Sequence, residues 1–177
     1  MEACFKGCRD LTDAEGSKAG LVGWSDADWA GDEEDRKSTS GYAVQLKNGT
    51  LLSYGCRKQS ITADSSAVAE LIALNSATKE VLWQKRLFVE LFGRDAGTVS
   101  IKEDNVAAKT LAESHRFSHK TKHLATRYFF CREKVDEKEV SVDWVKSSEQ
   151  TADIFTKPLG EQIFVPLRAK LGMVVVV

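Results

Sequence analysis

Hydrophobic and polar positions alternate along three early runs of the chain, "LVGWSDADW", "SGYAVQL" and "TLLSYGCRKQS", which is the period of a half-buried β-strand. The turn-rich "AGDEEDRKST" and "KNGT" separate them, and the Asn48-Gly49 pair is a strong hairpin signal, so the three runs predict an antiparallel meander. The period then changes. In "SSAVAELIALNSATKEVLWQKRLFVELF" the positions Val68, Leu71, Ile72, Val81, Leu82, Lys85, Phe88, Val89 and Phe92 fall near helical spacing, predicting one long amphipathic helix capped by Asp64 or Ser65. Beyond it "TVSIKED" reads as a strand, "NVAAKTLAESH" and "KTKHLATRYFFCREKV" as helices, "EVSVDWV" as a strand, and "SSEQTADIFTK" as a short helix stopped by Pro158. The order predicts an α/β fold, a mixed sheet covered by helices.

Within that frame several acids occupy costly positions. Strand alternation puts Asp26 and Asp28 on the face of Val22 and Trp24, continuing a face that begins as core. Glu70 has Ala67, Ala73 and Leu74 as its helical neighbours and so points along an apolar stripe. Asp104 ends a strand where Asn105 opens a helix, and Asp153 lies between Ala152 and Ile154 in the short late helix. Carboxylates drawn together in a cleft repel and lose hydration, so such a cluster calls for a cation, and oxygen-only ligands favour magnesium or manganese over zinc. Taken one at a time, each of these acids reads as a helix cap or a strand end; for the four together, the pattern alone leaves both readings open.

Composition narrows the class. The 177 residues suit one domain with a real core, and 42% hydrophobic with 29% charged content is ordinary for a soluble globular protein. No apolar run approaches the roughly 20 residues of a membrane span. A formal net charge of −1 provides no global basic field, so any phosphate contact has to come from local patches. Two are candidates: "RKSTS", with Arg36, Lys37 and Ser38, and "HKTKH", with Lys120, Lys122 and His123. Cys4, Cys8, Cys56 and Cys131 lack the spacing of a zinc site and read as reduced intracellular thiols. Residues 1–20 read as a lead-in or a cut end, residues 21–171 as the domain, and residues 172–177 as a tail whose "VVVV" is a terminal strand or a frayed end.

"GWSDADWAGDEEDRKSTSGY", "KQSITADSSAVAELIAL", "EDNVAAKTLA", "KTKHLATRYFFCREKV" and "EQTADIFTKPL" resemble, in order and spacing, the successive blocks of the ribonuclease H domain of copia-type retrotransposon polyproteins. "FKGCRDL" resembles the segment that joins reverse transcriptase to that domain. The resemblance implies a ribonuclease H-like fold: a five-stranded mixed sheet with strands 1–3 antiparallel and strands 4–5 parallel, strand 4 beside strand 1, and flanking helices. It implies a two-metal-ion endonuclease that cuts the RNA strand of RNA/DNA hybrids to a 5′-phosphate and a 3′-hydroxyl. Asp26, Glu70, Asp104 and Asp153 carry over as its catalytic, magnesium- or manganese-binding set. Asp26 would bridge both ions, Asp153 would complete the water-activating site, and Glu70 with Asp104 would hold the other ion. Asp28 is assigned to the following turn. Ser25, Asn105 and the main chain near Glu70 would read the 2′-hydroxyl side of the hybrid. Implied partners are the hybrid and the upstream reverse transcriptase region, in a cytoplasmic particle or the nucleus, with no membrane and no small-molecule cofactor.

This copy departs from the family pattern at several places. Val68 stands where a second acid is usual, Leu71 where an aromatic is usual, Glu103 where a cysteine or small residue precedes Asp104, and Ala125 where an acid is usual. Pro166 interrupts the last helix, the loop "KSSEQTA" has no histidine, and the stretch between the middle helices is too short for a basic protrusion. A rival reading is therefore a decayed or domesticated copy that binds nucleic acid or a partner without cutting.

Overall fold

The computed structural model describes residues 20–114 and 125–173. Strands β1 (Leu21–Asp28), β2 (Thr39–Leu46) and β3 (Leu51–Lys58) form the antiparallel meander. The β2–β3 turn closes as its sequence predicts. Asn48 Oδ1 accepts the Thr50 N–H, the Gly49 N–H bonds the Leu46 carbonyl, and Gly49 takes φ 94°, a left-handed conformation that disfavours a side chain. Helix α1 (Ser66–Phe92) begins at Ser65, whose hydroxyl accepts the Val68 N–H, so Ser65 rather than Asp64 is the cap. Strand β4 (Val99–Glu103), helix α2 (Val106–Glu113), helix α3 (Ala125–Asp136) and strand β5 (Val140–Trp144) follow, and helix α4 (Glu161–Lys170) comes last. The sheet order is β3-β2-β1-β4-β5, with β1–β4 and β4–β5 parallel. The five-stranded mixed sheet flanked by helices is thus observed as expected.

Helix α1 lies across β1 and β2, burying Leu71, Leu74, Ala77, Val81 and Phe88 against Leu21, Val44, Val99 and Ile101. Close approach is made possible by Gly23 in the middle of β1: a β-carbon there would stand 2.8 Å from a Val81 methyl. Nearer the N-terminus of α1 the packing uses small residues, Ala27, Ala63, Ala69 and Ala73, which draws the first turns of the helix onto the end of β1. Glu70 rides on that part of the helix.

Two expectations are corrected. The α1-facing side of β1 is Leu21, Gly23, Ser25 and Ala27, all buried, whereas Val22 and Trp24 are only half-buried on the opposite face. Asp26 shares that second face and is nevertheless buried, because the chain after β5 folds over it. That chain is the second correction. "SSEQTADIFTK" forms two 3₁₀ segments, Ser147–Glu149 and Thr151–Phe155, not an α-helix, because five residues before Thr156 and Pro158 are too few for α-helical bonds to accumulate. Pro166 falls inside α4, which continues through it to Lys170. Cys56 and Cys131 are free thiols, and Lys120, Lys122 and His123 lie outside the described residues, as do residues 1–19 and "VVVV".

Candidate metal centre

Three elements deliver one carboxylate each to the same point. Asp26 comes from the C-terminal part of β1, Glu70 from the early turns of α1, and Asp104 from the residue after β4. An oxygen of each lies within 4.8 Å of the others. Asp26 and Glu70 are buried and Asp104 is half-buried. The parallel β1–β4 pairing puts Asp26 and Asp104 side by side, and α1 closes the third side. Burial, and then the charges of Glu103, Asp26 and Asp104, push Glu70 up to about 11, against the pull of Lys157. Glu70 Oε2 is buried with no hydrogen-bond partner among the described residues.

Asp153 approaches from the 3₁₀ segment Thr151–Phe155. It can do so because β2 carries Gly41 opposite Asp26: a β-carbon on Gly41 would stand 2.6 Å from Thr156 Cγ2 and 3.1 Å from Phe155 Cβ. Asp153 stands outside the tight group of three and adjoins it through Asp26. Burial and the Asp26 charge raise it to about 7, with Lys157 opposing. The Thr156 hydroxyl donates to Asp26 Oδ2.

Two site residues escaped the sequence reading. Lys157 Nζ lies 3.0 Å from Asp153 Oδ1 and 3.7 Å from Asp26 Oδ2. Burial works against its charge, yet Asp26 and Asp153 raise its pKa, so it stays an ammonium. Its position four residues after Asp153, within "TADIFTK", was the available signal. Glu103 was noted only as a departure from a family pattern. Alternation along β4 turns it inward after Val99 and Ile101, and it is fully buried. Its Oε1 accepts the Asn105 N–H at 3.1 Å, and its Oε2 has no partner among the described residues. Burial holds its pKa well above the usual range, with the Asn105 amide opposing and Asp104 and Asp26 adding to the rise.

The donor set consists of oxygens alone, holds an unsatisfied buried carboxylate oxygen, and has one ammonium against several acids. It fits a hard divalent ion.

The residues expected to meet nucleic acid are scattered more widely. Ser25 is buried beside Asp26, and its hydroxyl has no partner among the described residues. Asn105 Oδ1 caps α2, accepting the Ala107 and Ala108 N–H groups. Ser38 is buried and its hydroxyl accepts the Ala30 N–H. Arg36 is exposed, while Lys37 pairs with Asp35 at 3.3 Å. Asp28 lies outside the acidic group, with its carboxylate directly over Gly31 in the following turn. Further basic groups line a cavity of about 770 Å³ between β2, β3, α1 and α3, where Arg57 and Lys79 stand with Tyr42, Gln59, Asn75 and Phe130. Gln59 joins that cavity to the acids, since its amide donates to the Ala69 carbonyl next to Glu70.

No protein-family model matches the chain. It is 35% identical over 159 residues to the retrovirus-related Pol polyprotein from transposon RE1 of Arabidopsis thaliana, a match covering 90% of this chain and 11% of that protein. It is 34% identical over 158 residues to the corresponding polyprotein from transposon TNT 1-94 of Nicotiana tabacum, covering 89% of this chain and 12% of that protein. The chain therefore spans only a small part of these relatives. Among solved structures it resembles the N-terminal RNase H domain from Mycobacterium tuberculosis, with TM-score 0.55, 13% identity, and coverage of 85% of this chain and 97% of that one. It also resembles LC11-RNase H1 in complex with RNA/DNA hybrid, with TM-score 0.56, 11% identity, and coverage of 77% and 93%. The chain has the ribonuclease H-like fold and is related in sequence to the Pol polyproteins of plant retrotransposons, with an acidic group at the sheet's centre suited to a divalent metal.

Proposed function

We propose that this domain is a magnesium-dependent ribonuclease H of a copia-type retroelement, cutting the RNA strand of RNA/DNA hybrids during reverse transcription, inside the cell and tethered to a reverse transcriptase region. The observation that carries the reading is the convergence of Asp26, Glu70 and Asp104 within 4.8 Å, with Asp153 and Lys157 alongside. Asp26, Glu70, Asp104 and Asp153 would hold the ions. Two divalent ions there would neutralise the scissile phosphate and activate a water. The chain's own groups prepare that site. Thr156 and Lys157 orient the Asp26 carboxylate, and Lys157 lends positive charge between Asp26 and Asp153. Glu70 has to give up its proton to become a ligand, so ion uptake should release protons. Arg57 and Lys79 mark a path along which a phosphate backbone can leave the acids. The LC11 enzyme that shares the fold is a hybrid-binding protein by its own description.

Incubation with labelled RNA/DNA hybrid, double-stranded RNA and double-stranded DNA, with and without magnesium, tests the reading. Only the RNA strand of the hybrid should be cut, and EDTA should stop it. Cleavage of all three duplexes alike sinks the specificity. Glu103 favours a second reading, a copy that holds hybrids without cutting, because this fully buried carboxyl group behind the ligands must either keep its proton or repel them. Hybrid binding with no cleavage in any divalent ion selects that reading.

A further inference from the structure

The parallel ladder between β1 and β4 runs through Val22–Ser100, Gly23–Ile101 and Trp24–Lys102 and then stops. On either side the other pairings continue, β1–β2 to Asp28 and β4–β5 to Glu103. The sheet therefore opens at its centre, at the level where Asp26 and Asp104 emerge. A gap in a buried ladder leaves carbonyl groups without donors, which is costly unless a side chain supplies them.

Beyond the last rung, Gln150 supplies one to the Ser25 carbonyl. Gln150 is fully buried. Its Nε2 donates to the Ser25 carbonyl at 2.8 Å and, more weakly, to the Lys102 carbonyl at 3.4 Å, and its Oε1 accepts the Ala152 N–H at 3.2 Å. The amide cannot be turned over, because that would set Oε1 against two carbonyl oxygens and the NH₂ against an N–H donor. Ser25 precedes Asp26, Lys102 lies two residues before Asp104, and Ala152 precedes Asp153. One side chain thus joins the backbone beside three of the four acids, across 125 residues between Ser25 and Gln150. Glu70 alone arrives independently, on α1.

We propose that Gln150 is a positioning residue for the carboxylate group: its amide stands in for the missing rung between β1 and β4, sets the spacing of Asp26, Asp104 and Asp153, and thereby sets the affinity for divalent ions. The proposal rests on the metal-binding part of the reading above and not on the substrate. Side chains that orient metal ligands typically alter affinity by about 10- to 100-fold when replaced.

The test compares Gln150→Met, close in volume but without hydrogen bonds, with Phe88→Leu, a core substitution far along α1. Manganese binding is measured by calorimetry without nucleic acid, beside urea stability in EDTA and the magnesium dependence of hybrid cleavage. Gln150→Met should weaken manganese binding about 10-fold or more, shift the magnesium requirement upward, and recover part of its turnover at high ion concentration. Phe88→Leu should lose stability with manganese affinity unchanged. Equal manganese affinity in wild type and Gln150→Met overturns the proposal, whatever happens to stability. If Gln150→Met does not fold, the wild-type side-chain amide is followed by NMR. Slow exchange of its two protons and a shift on saturation with magnesium are expected, and solvent-like exchange unmoved by magnesium overturns the proposal. A wild type that binds manganese but cuts no hybrid defeats the functional reading and leaves the Gln150 comparison intact.

Discussion

Replacing Glu70 by glutamine removes one acid from the crowded site while keeping its shape, and the effect on stability follows from proton linkage. In the fold, burial and the neighbouring carboxylates hold Glu70 protonated up to about 11, whereas in the unfolded chain it titrates near its ordinary 4.5. Between those two values the folded state binds one more proton than the unfolded state, so stability is fully present below the lower value and falls as pH rises toward the upper one. The slope is about 1.4 kcal/mol per pH unit for one proton. From about pH 5.5 to about pH 8.5 the ceiling for Glu70 is about 4 kcal/mol. Asp153, raised to about 7 from 3.8, adds a slope of the same sign that ends near its folded value. Glu103, held well above the usual carboxylate range by burial, adds a further slope of that sign. Above about pH 7, then, glutamine at position 70 should remove about half of the decline and leave the variant more stable than wild type in EDTA. Magnesium should reverse the wild-type trend, because ion uptake displaces the Glu70 proton and grows tighter as pH rises. Urea melts followed by circular dichroism at three pH values, in EDTA and in magnesium, measure all of this. If metal-free wild type grows more stable as pH rises through that range, Glu70 is ionised in the fold, and the repulsion inferred here is wrong.

Asp104→Asn should abolish hybrid cleavage yet keep or raise metal-free stability, whereas Asp26→Asn should abolish cleavage with a smaller gain, since Thr156 and Lys157 lose a charged partner; unfolding of both variants would mark the acids as structural. Asp153→Asn should lower single-turnover cleavage by orders of magnitude while hybrid binding in calcium stays near wild type, and Asp28→Asn should keep most activity; the opposite ranking removes Asp153 from the ligand set. Gly41→Ala should push the 3₁₀ segment off the sheet, costing about 1–3 kcal/mol and depressing cleavage more than a core change of equal stability loss. Normal cleavage by that variant would show that Asp153 needs no such close approach. Pro166→Ala, at an exposed position inside α4, should raise the melting temperature without altering cleavage, because an interior proline costs a helix up to about 3 kcal/mol; an unchanged or lower Tm refutes that.

Local chemistry determined what the sequence alone could determine. Alternation marked β1, β2 and β3, Asn48-Gly49 marked their turn, and helical spacing marked α1, because strand and helix periods are written in neighbouring residues. The depth of Glu70 in an apolar stripe was legible for the same reason. The resemblance to known blocks then implied which acids meet. The residues that settle the electrostatics and geometry of the site were not legible. Whether Lys157 faces solvent or two carboxylates depends on where a 3₁₀ segment lands on β2, and that depends on Gly41, more than a hundred residues earlier. Glu103 reads as a strand-end acid until the β4 pleat turns it inward. Gln150 looks like a loop amide until β1 and β4 part around it. Hydrogen bonds and ion pairs act over a few ångströms, so their partners are chosen by packing between distant segments, and only the tertiary structure brings those segments together.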